Sequence, residues 1–569
     1  MRFRAHHRIV SVSLTLSLLV CSAVSAASRQ PIASSRGLVA STSPLASDVG
    51  AQILRDGGNA IDAAVAVGLA LAVTWPAAGN LGGGGFALLR LADGSSHFVD
   101  YRETAPAAAQ ADFYLDKDGK LIPDVSSVGW RSVAVPGTPA GMELMHTRWG
   151  KLPWKKVVEP ARRLAEKGYR LEEAHVRSLA QNEDLLSKFP ESKAIFLPGG
   201  KLPKVGDLFV QKDLGKTLAA LEKRGAKGFY EGPVAELLAK DILAQGGVIT
   251  TRDLKDYKAL VREPLKGRYK DFEVLTAPPP SSGGAVLLQI LGQLEQDDLK
   301  ALGFGSAGYL HLLAEAMKRA FADRAHWFGD PGFVSVPLQK LLDPLYLKAR
   351  RQSIAVDKAS PSETIKAGPL QDNESWETTH YTVVDKDGAI VSNTYTLNGS
   401  FGSGATAKGT GVLLNNEMDD FASKPGEANM YRLIQGERNR IAPGKRPLSS
   451  MTPTVFLKDG RAILALGSPG GPTIINTVLQ VSLNVLVHGM NIQEAIDAPR
   501  IHHQWQPDRI FWEPWGINPD TRKILEQMGH KLAERQRQMG DTHAVYFDAE
   551  KKDWTGASDS RWGGAVRVP

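Results

Sequence analysis

The chain of 569 residues contains a single cysteine, Cys21. One thiol cannot form an internal disulfide, and none is left in the body of the chain for thiolate chemistry. Net charge is also scarce: 68 Lys and Arg face 61 Asp and Glu, a formal +7. Arg2, Arg4 and Arg8 crowd the extreme N-terminus; setting those three aside leaves 65 against 61, a net of +4. So weak a bias argues against nucleic acid as the main partner. Long apolar runs are missing too. Residues 9–20 and 63–73 both fall short of the roughly 20 apolar residues that a spanning helix needs. The stretch Gly82-Gly83-Gly84-Gly85 is followed by no Gly-Lys-Ser/Thr, which excludes a nucleoside-phosphate loop. Its glycines instead allow close backbone packing ahead of a strand at residues 86–90. His502 and His503 have no further ligands at metal spacing and read as structural. No repeat or low-complexity tract is evident.

What is present describes an ordinary globular body, 43% hydrophobic and 23% charged. Ahead of it, three arginines, a short apolar stretch and Val24-Ser25-Ala26 form a signal peptide over residues 1–26. Export follows, to the periplasm or the medium, with no membrane span in the mature protein. Residues 47–73 show helical apolar spacing with Ser47 or Asp48 as N-cap, broken at Gly57-Gly58-Asn59 and ended by Pro76. Residues 143–270 read as a largely helical, solvated layer. Helices are expected at 285–294, 307–326 and 472–487, and a hairpin around Lys458-Asp459-Gly460. Residues 352–376 read as a flexible tail, and the polar segment 422–446 as a loop.

The most informative stretch begins at Glu377-Thr378-Thr379-His380-Tyr381. Thr379, Tyr381, Val383 and Val384 suit a strand, Asp387-Gly388 is a hairpin turn, and residues 389–398 return across the same sheet. Thr378 therefore sits at one end of a strand, with Thr396 and Asn398 near the end of its neighbour.

This stretch resembles the start of the small subunit of the γ-glutamyltranspeptidases, which are N-terminal-nucleophile hydrolases. The likeness continues through Leu414-Asn415-Asn416-Glu417-Met418-Asp419-Asp420-Phe421, Lys445-Arg446-Pro447-Leu448-Ser449-Ser450-Met451 and Gly467-Ser468-Pro469-Gly470-Gly471. Several long motifs in one order are far more specific than a lone pattern. The resemblance implies an α+β fold, a four-layer αββα sandwich built from two autoprocessed subunits, 27–377 and 378–569. It implies self-cleavage between Glu377 and Thr378, after which the Thr378 α-amine serves as base for its own hydroxyl. Thr396 matches a residue that hydrogen-bonds the nucleophile, and Gly470 and Gly471 match the oxyanion loop. Arg102, Ser449 and Ser450 match the binders of the substrate α-carboxylate; Asn398, Glu417 and Asp420 match the groups around its ammonium. Tyr431 matches the aromatic residue of a lid.

The implied activity is γ-glutamyl transfer and glutathione hydrolysis through a γ-glutamyl ester on Thr378. The acceptors are water, an amino acid or a dipeptide; no cofactor or metal is implied. A glutaryl-β-lactam acylase of the same superfamily is the near alternative, disfavoured because glutaryl lacks the ammonium that Asp420 and Glu417 suit. An inactive exported binding protein is the distant alternative. It need not mature into two chains, and it would have no use for Thr378, Thr396 and the glycine pair.

Overall fold

Two seven-stranded antiparallel sheets lie face to face, with helices on both outer faces, in the computed structural model of the protein. The structure describes residues 28–366, 378–427, 429–430, 433 and 435–569. The signal segment 1–26, Glu377 and Tyr431 lie outside the described residues. The first sheet runs Ala565–Arg567, Gly37–Ser41, Thr379–Asp385, Ile390–Thr396, Gly84–Arg90, Ser96–Asp100, Leu260–Arg262. The second runs Ile32–Ser34, Asp553–Ser558, His543–Asp548, Arg461–Leu466, Thr454–Lys458, Phe272–Thr276, Leu265–Tyr269. Strands from before residue 367 and from after residue 377 therefore lie side by side in both sheets.

Period-two alternation assigns each face. In Thr379–Asp385, Tyr381 and Val383 pack under the first helical layer, and Val384 faces the second sheet. The polar residues on the inner face are satisfied locally. His380 bonds the hydroxyls of Thr394 (2.8 Å) and Thr382 (2.9 Å), Thr382 donates to the His543 carbonyl (2.8 Å), and Ser392 donates to that of Leu466 (3.0 Å). Burial pushes the His380 imidazole well below its ordinary pKa, so it remains neutral.

The first helical layer is led by Pro44–Arg55 and Ala60–Thr74; every residue of the latter is buried. Its start is set by Asn59 and Asp62, which form a reciprocal capping box. The preceding helix begins earlier than the sequence suggests. Ser43, not Ser47 or Asp48, is its N-cap, because Pro44 at the first helical position favours a start there. The other outer layer contains Gly283–Gln293, Ala307–Trp327 and Thr473–Leu486, close to their expected bounds. The hairpin about Asp459-Gly460 is present.

The part of the presumed tail between residues 353 and 366 is instead pinned. Ser362 bonds Asp508 through its hydroxyl (2.7 Å), and the Trp505 indole donates to the Ser362 carbonyl (2.7 Å). These partners lie nearly 150 residues downstream, beyond what local polarity can signal. No helix among the described residues is long and apolar enough to cross a membrane.

Candidate active site

Strand register places the central hydroxyl. Thr379 pairs with Tyr395, so the next rung sets Thr378 opposite Thr396 with both Cβ atoms on one face. Thr378 is buried, and Thr396 Oγ1 accepts the Asn398 N–H at 2.8 Å. Asn398 has φ 74°, a left-handed conformation that asparagine tolerates better than most residues. Its amide donates to the Asn416 carbonyl at 2.9 Å, linking this strand end to the segment carrying Glu417 and Asp420.

The glycine loop follows the strand Arg461–Leu466 and feeds the helix Thr473–Leu486. A Cβ at Gly467 would stand 2.4 Å from the His380 ring, so only glycine lets the loop pass so close to the nucleophile strand. Gly470 (φ 127°) and Gly471 (φ 51°) both adopt left-handed backbone. The loop thus reaches the start of a fourteen-residue helix, where N–H groups and the helix dipole favour negative charge.

One small cavity gathers most of the predicted residues. Thr378, Thr396, Asn398 and Gly471 line it, as do Arg102, Glu417, Asp420, Ser449 and Ser450. Gly470 lines a neighbouring, larger cavity that also reaches Thr378. Arg102 is fully buried; its guanidinium donates to Glu417 Oε1, Asp420 Oδ2 and the carbonyls of Pro447 (3.2 Å) and Leu448 (3.2 Å). Arg102, expected to bind the substrate carboxylate, is therefore paired with Glu417 and Asp420, expected to bind its ammonium.

Three acids crowd this one arginine. Glu103 lies 3.7 Å from the Arg102 guanidinium, and neither of its oxygens meets a donor among the described residues. Burial pushes Glu103 up to about 7, against the pull of Arg102. Burial likewise raises Asp420 and takes Glu417 well above the usual carboxylate range, again against Arg102. On Arg102 itself, burial works against the charge, but the Glu417, Asp420 and Glu103 carboxylates outweigh it and raise its pKa. A proton retained by the acids relieves the cost of their crowding.

A sequence model described as gamma-glutamyltranspeptidase matches residues 46–568. The glutathione hydrolase proenzyme of Pseudomonas sp. (strain A14) is 48% identical over 514 residues, spanning 90% of this chain and 89% of that one. The chain belongs to the gamma-glutamyltranspeptidase family. A second family relative, the glutathione hydrolase proenzyme of Escherichia coli (strain K12), is 47% identical over 532 residues, 93% of this chain and 91% of its own. Among solved structures, the cephalosporin acylase of Bacillus halodurans superposes with a TM-score of 0.84 at 26% identity, covering 96% of this chain and 98% of that one.

Two buried residues near this site escaped the sequence reading. Glu103 directly follows Arg102, and adjacency was its only signal. Arg324, on the long helix Ala307–Trp327, donates to Ser282 Oγ (2.8 Å) and Ser450 Oγ (3.0 Å). A hydroxyl that accepts from a guanidinium keeps its own proton to donate, so Arg324 orients Ser450 as a donor. A cation among the buried Ala320, Phe321 and Ala322 was the available clue.

Proposed function

We propose that the protein is an exported, self-cleaving γ-glutamyltransferase and glutathione hydrolase whose nucleophile is Thr378. The observation that carries this reading is the shared cavity: its wall holds the Thr378 hydroxyl, Gly471 of the glycine loop, and a cation, Arg102, with two acids, Glu417 and Asp420. A γ-glutamyl head is a zwitterion joined by two methylenes to the scissile carbonyl, and the cavity offers the matching charges.

In the precursor, the Thr378 hydroxyl attacks the Glu377 carbonyl; the resulting ester hydrolyses and frees the Thr378 α-amine. This separates a large chain, 27–377, from a small one, 378–569. The amine has an ordinary pKa of about 7.7–8.0 and takes the hydroxyl proton near neutral pH. Thr378 Oγ then attacks the γ-carbonyl, the Gly470–Gly471 loop carries the oxyanion, and the leaving amine receives the proton. Water or an incoming amine resolves the γ-glutamyl ester.

Recognition is an exchange of partners. The substrate carboxylate takes Arg102, with Ser449 and Ser450 as hydroxyl donors, and the substrate ammonium takes Asp420 and Glu417, with Asn398 beside them. Every buried charge keeps an opposite charge throughout. Leu433 lines the cavity; the lid role of Tyr431 rests on its match to the family's aromatic position alone. The acylase reading draws on the fold likeness above, but glutaryl brings no cation to Asp420 and Glu417. The test is a Thr378→Ala variant. It should remain one chain on a denaturing gel and release no anilide from a γ-glutamyl anilide, whereas the wild type splits and turns over. Splitting of the pure variant at that bond would refute the assignment.

A further inference from the structure

Asp419 is next in the chain to Asp420, yet it does not line the charged cavity. Nothing in the γ-glutamyl reading uses it. It is nonetheless a buried carboxylate with two donors, and they come from opposite sides of the proposed cut. Ser126 Oγ donates to Oδ1 at 2.6 Å, and the Met430 N–H donates to Oδ2 at 2.9 Å. We propose that Asp419 is a positioning residue, a clasp that holds the segment around Met430 against the charged cavity and so sets the affinity for the γ-glutamyl head. The inference rests on the γ-glutamyl reading and adds to it a residue that touches no substrate.

The clasp belongs to a short turn. Glu417–Asp420 form one 3-10 turn, so a shift of Asp419 is felt by both acids of the cavity. The backbone of the turn carries the same connection. Asn429 Nδ2 donates to the Asp419 carbonyl at 3.1 Å, and Gln435 Nε2 donates to the Asp420 carbonyl at 2.9 Å. Asn429 Oδ1 accepts the Leu433 N–H at 3.0 Å, and Leu433 lines the cavity. Met430 extends the contact inward. Its sulfur accepts from Asn416 Nδ2 at 3.4 Å and lies 3.8 Å from Asn398 Nδ2. One carboxylate thus ties a cavity wall to the turn that bears Glu417 and Asp420, and ties both to the loop of Ser126.

The chemistry suits a carboxylate. It offers one oxygen to each donor, and bonds to an ionised acceptor are roughly twice as strong as neutral ones. Asparagine keeps an oxygen for the Met430 N–H and can turn the other bond round, its amide donating to Ser126 Oγ. It retains the links and loses their charge assistance. Alanine loses both links.

The test measures KM and kcat for a γ-glutamyl anilide on the wild type, Asp419→Ala, Asp419→Asn and Ser126→Ala. A denaturing gel first shows that each protein has matured into two chains, which reports folding. Asp419→Ala should raise KM about tenfold with kcat little changed, the pattern of lost binding, and Asp419→Asn should recover part of that loss. Ser126→Ala leaves every charge in place and removes one link, so it should raise KM about threefold. Added to Asp419→Ala it should change nothing further, because the link is already gone. Should Asp419→Ala fail to mature, Ser126→Ala carries the test. An unchanged KM in Ser126→Ala overturns the clasp, since a rise in Asp419→Ala alone would reduce Asp419 to a point charge near the ammonium. A loss confined to kcat overturns it too. Failure of the wild type to release anilide at all overturns the γ-glutamyl reading, and this inference with it.

Discussion

Asp420→Asn tests how the site tells a γ-glutamyl group from other acyl groups that end in an acid. The substitution preserves size and removes one charge. In the free protein Asp420 bonds Arg102 at a site where both side chains are largely shielded from water. Glu417 and Glu103 remain to neutralise Arg102 in the variant, so the fold should tolerate the change. The substrate ammonium, in contrast, loses a buried partner. Removing one member of a buried ion pair costs about 3–5 kcal/mol, and each power of ten in rate corresponds to about 1.4 kcal/mol. The variant should therefore lose about two to three and a half powers of ten in kcat/KM for γ-glutamyl anilide. Glutaryl anilide presents the same carboxylate to Arg102 but leaves Asp420 and Glu417 facing no cation. The wild type should discriminate against it by a similar factor, and Asp420→Asn should narrow that gap. The assay is kcat/KM for both anilides on both proteins. If the wild type handles glutaryl as well as γ-glutamyl, the ammonium assignment is wrong and the acylase reading replaces it.

Two further substitutions probe the loop and the acid cluster. Gly471→Val forces a β-branched residue into a left-handed conformation (φ 51°) and displaces the loop N–H groups, so kcat should fall by about 3–4 kcal/mol equivalent with KM little changed. A rise in KM alone would assign the loop to binding. Glu103 has its acid raised from 4.5 to about 7 by burial, so between those values the folded state holds more protons than the unfolded state. Stability must then fall as pH rises through that window, and the loss persists above it. The melting temperature of the wild type should drop between pH 5 and 7.5, and Glu103→Gln should flatten that drop; equal slopes would show that Glu103 does not titrate there.

The parts of this structure legible in the sequence are those with local signals. Asp387-Gly388 turned the hairpin, the Thr379 alternation fixed its faces, and together they put Thr378 opposite Thr396. The cavity residues were legible only through likeness to a family, since Arg102, Glu417 and Ser450 come from segments with no shared periodicity. The missed features depend on distant partners. Ser362 is ordered by Asp508, and Arg324 reaches Ser450 across 126 residues. The misplaced N-cap had a local cause, for Ser43-Pro44 competes with Ser47 and wins because proline already holds the helical φ.

The side-by-side arrangement of early and late strands determines what the proposed cut can and cannot do. Gly37–Ser41 lies between Ala565–Arg567 and Thr379–Asp385, and Thr454–Lys458 lies between Phe272–Thr276 and Arg461–Leu466. Two chains woven in this way can part only by unfolding, because release of either one breaks both sheets. The way back is different. An uncut chain refolds in a first-order process whose rate ignores concentration, whereas two severed chains must find each other in a second-order one. Cleavage thus turns a reversible folding equilibrium into a one-way commitment. The mature enzyme lasts as long as its unfolding barrier holds, and that lifetime is fixed while the polypeptide is still whole.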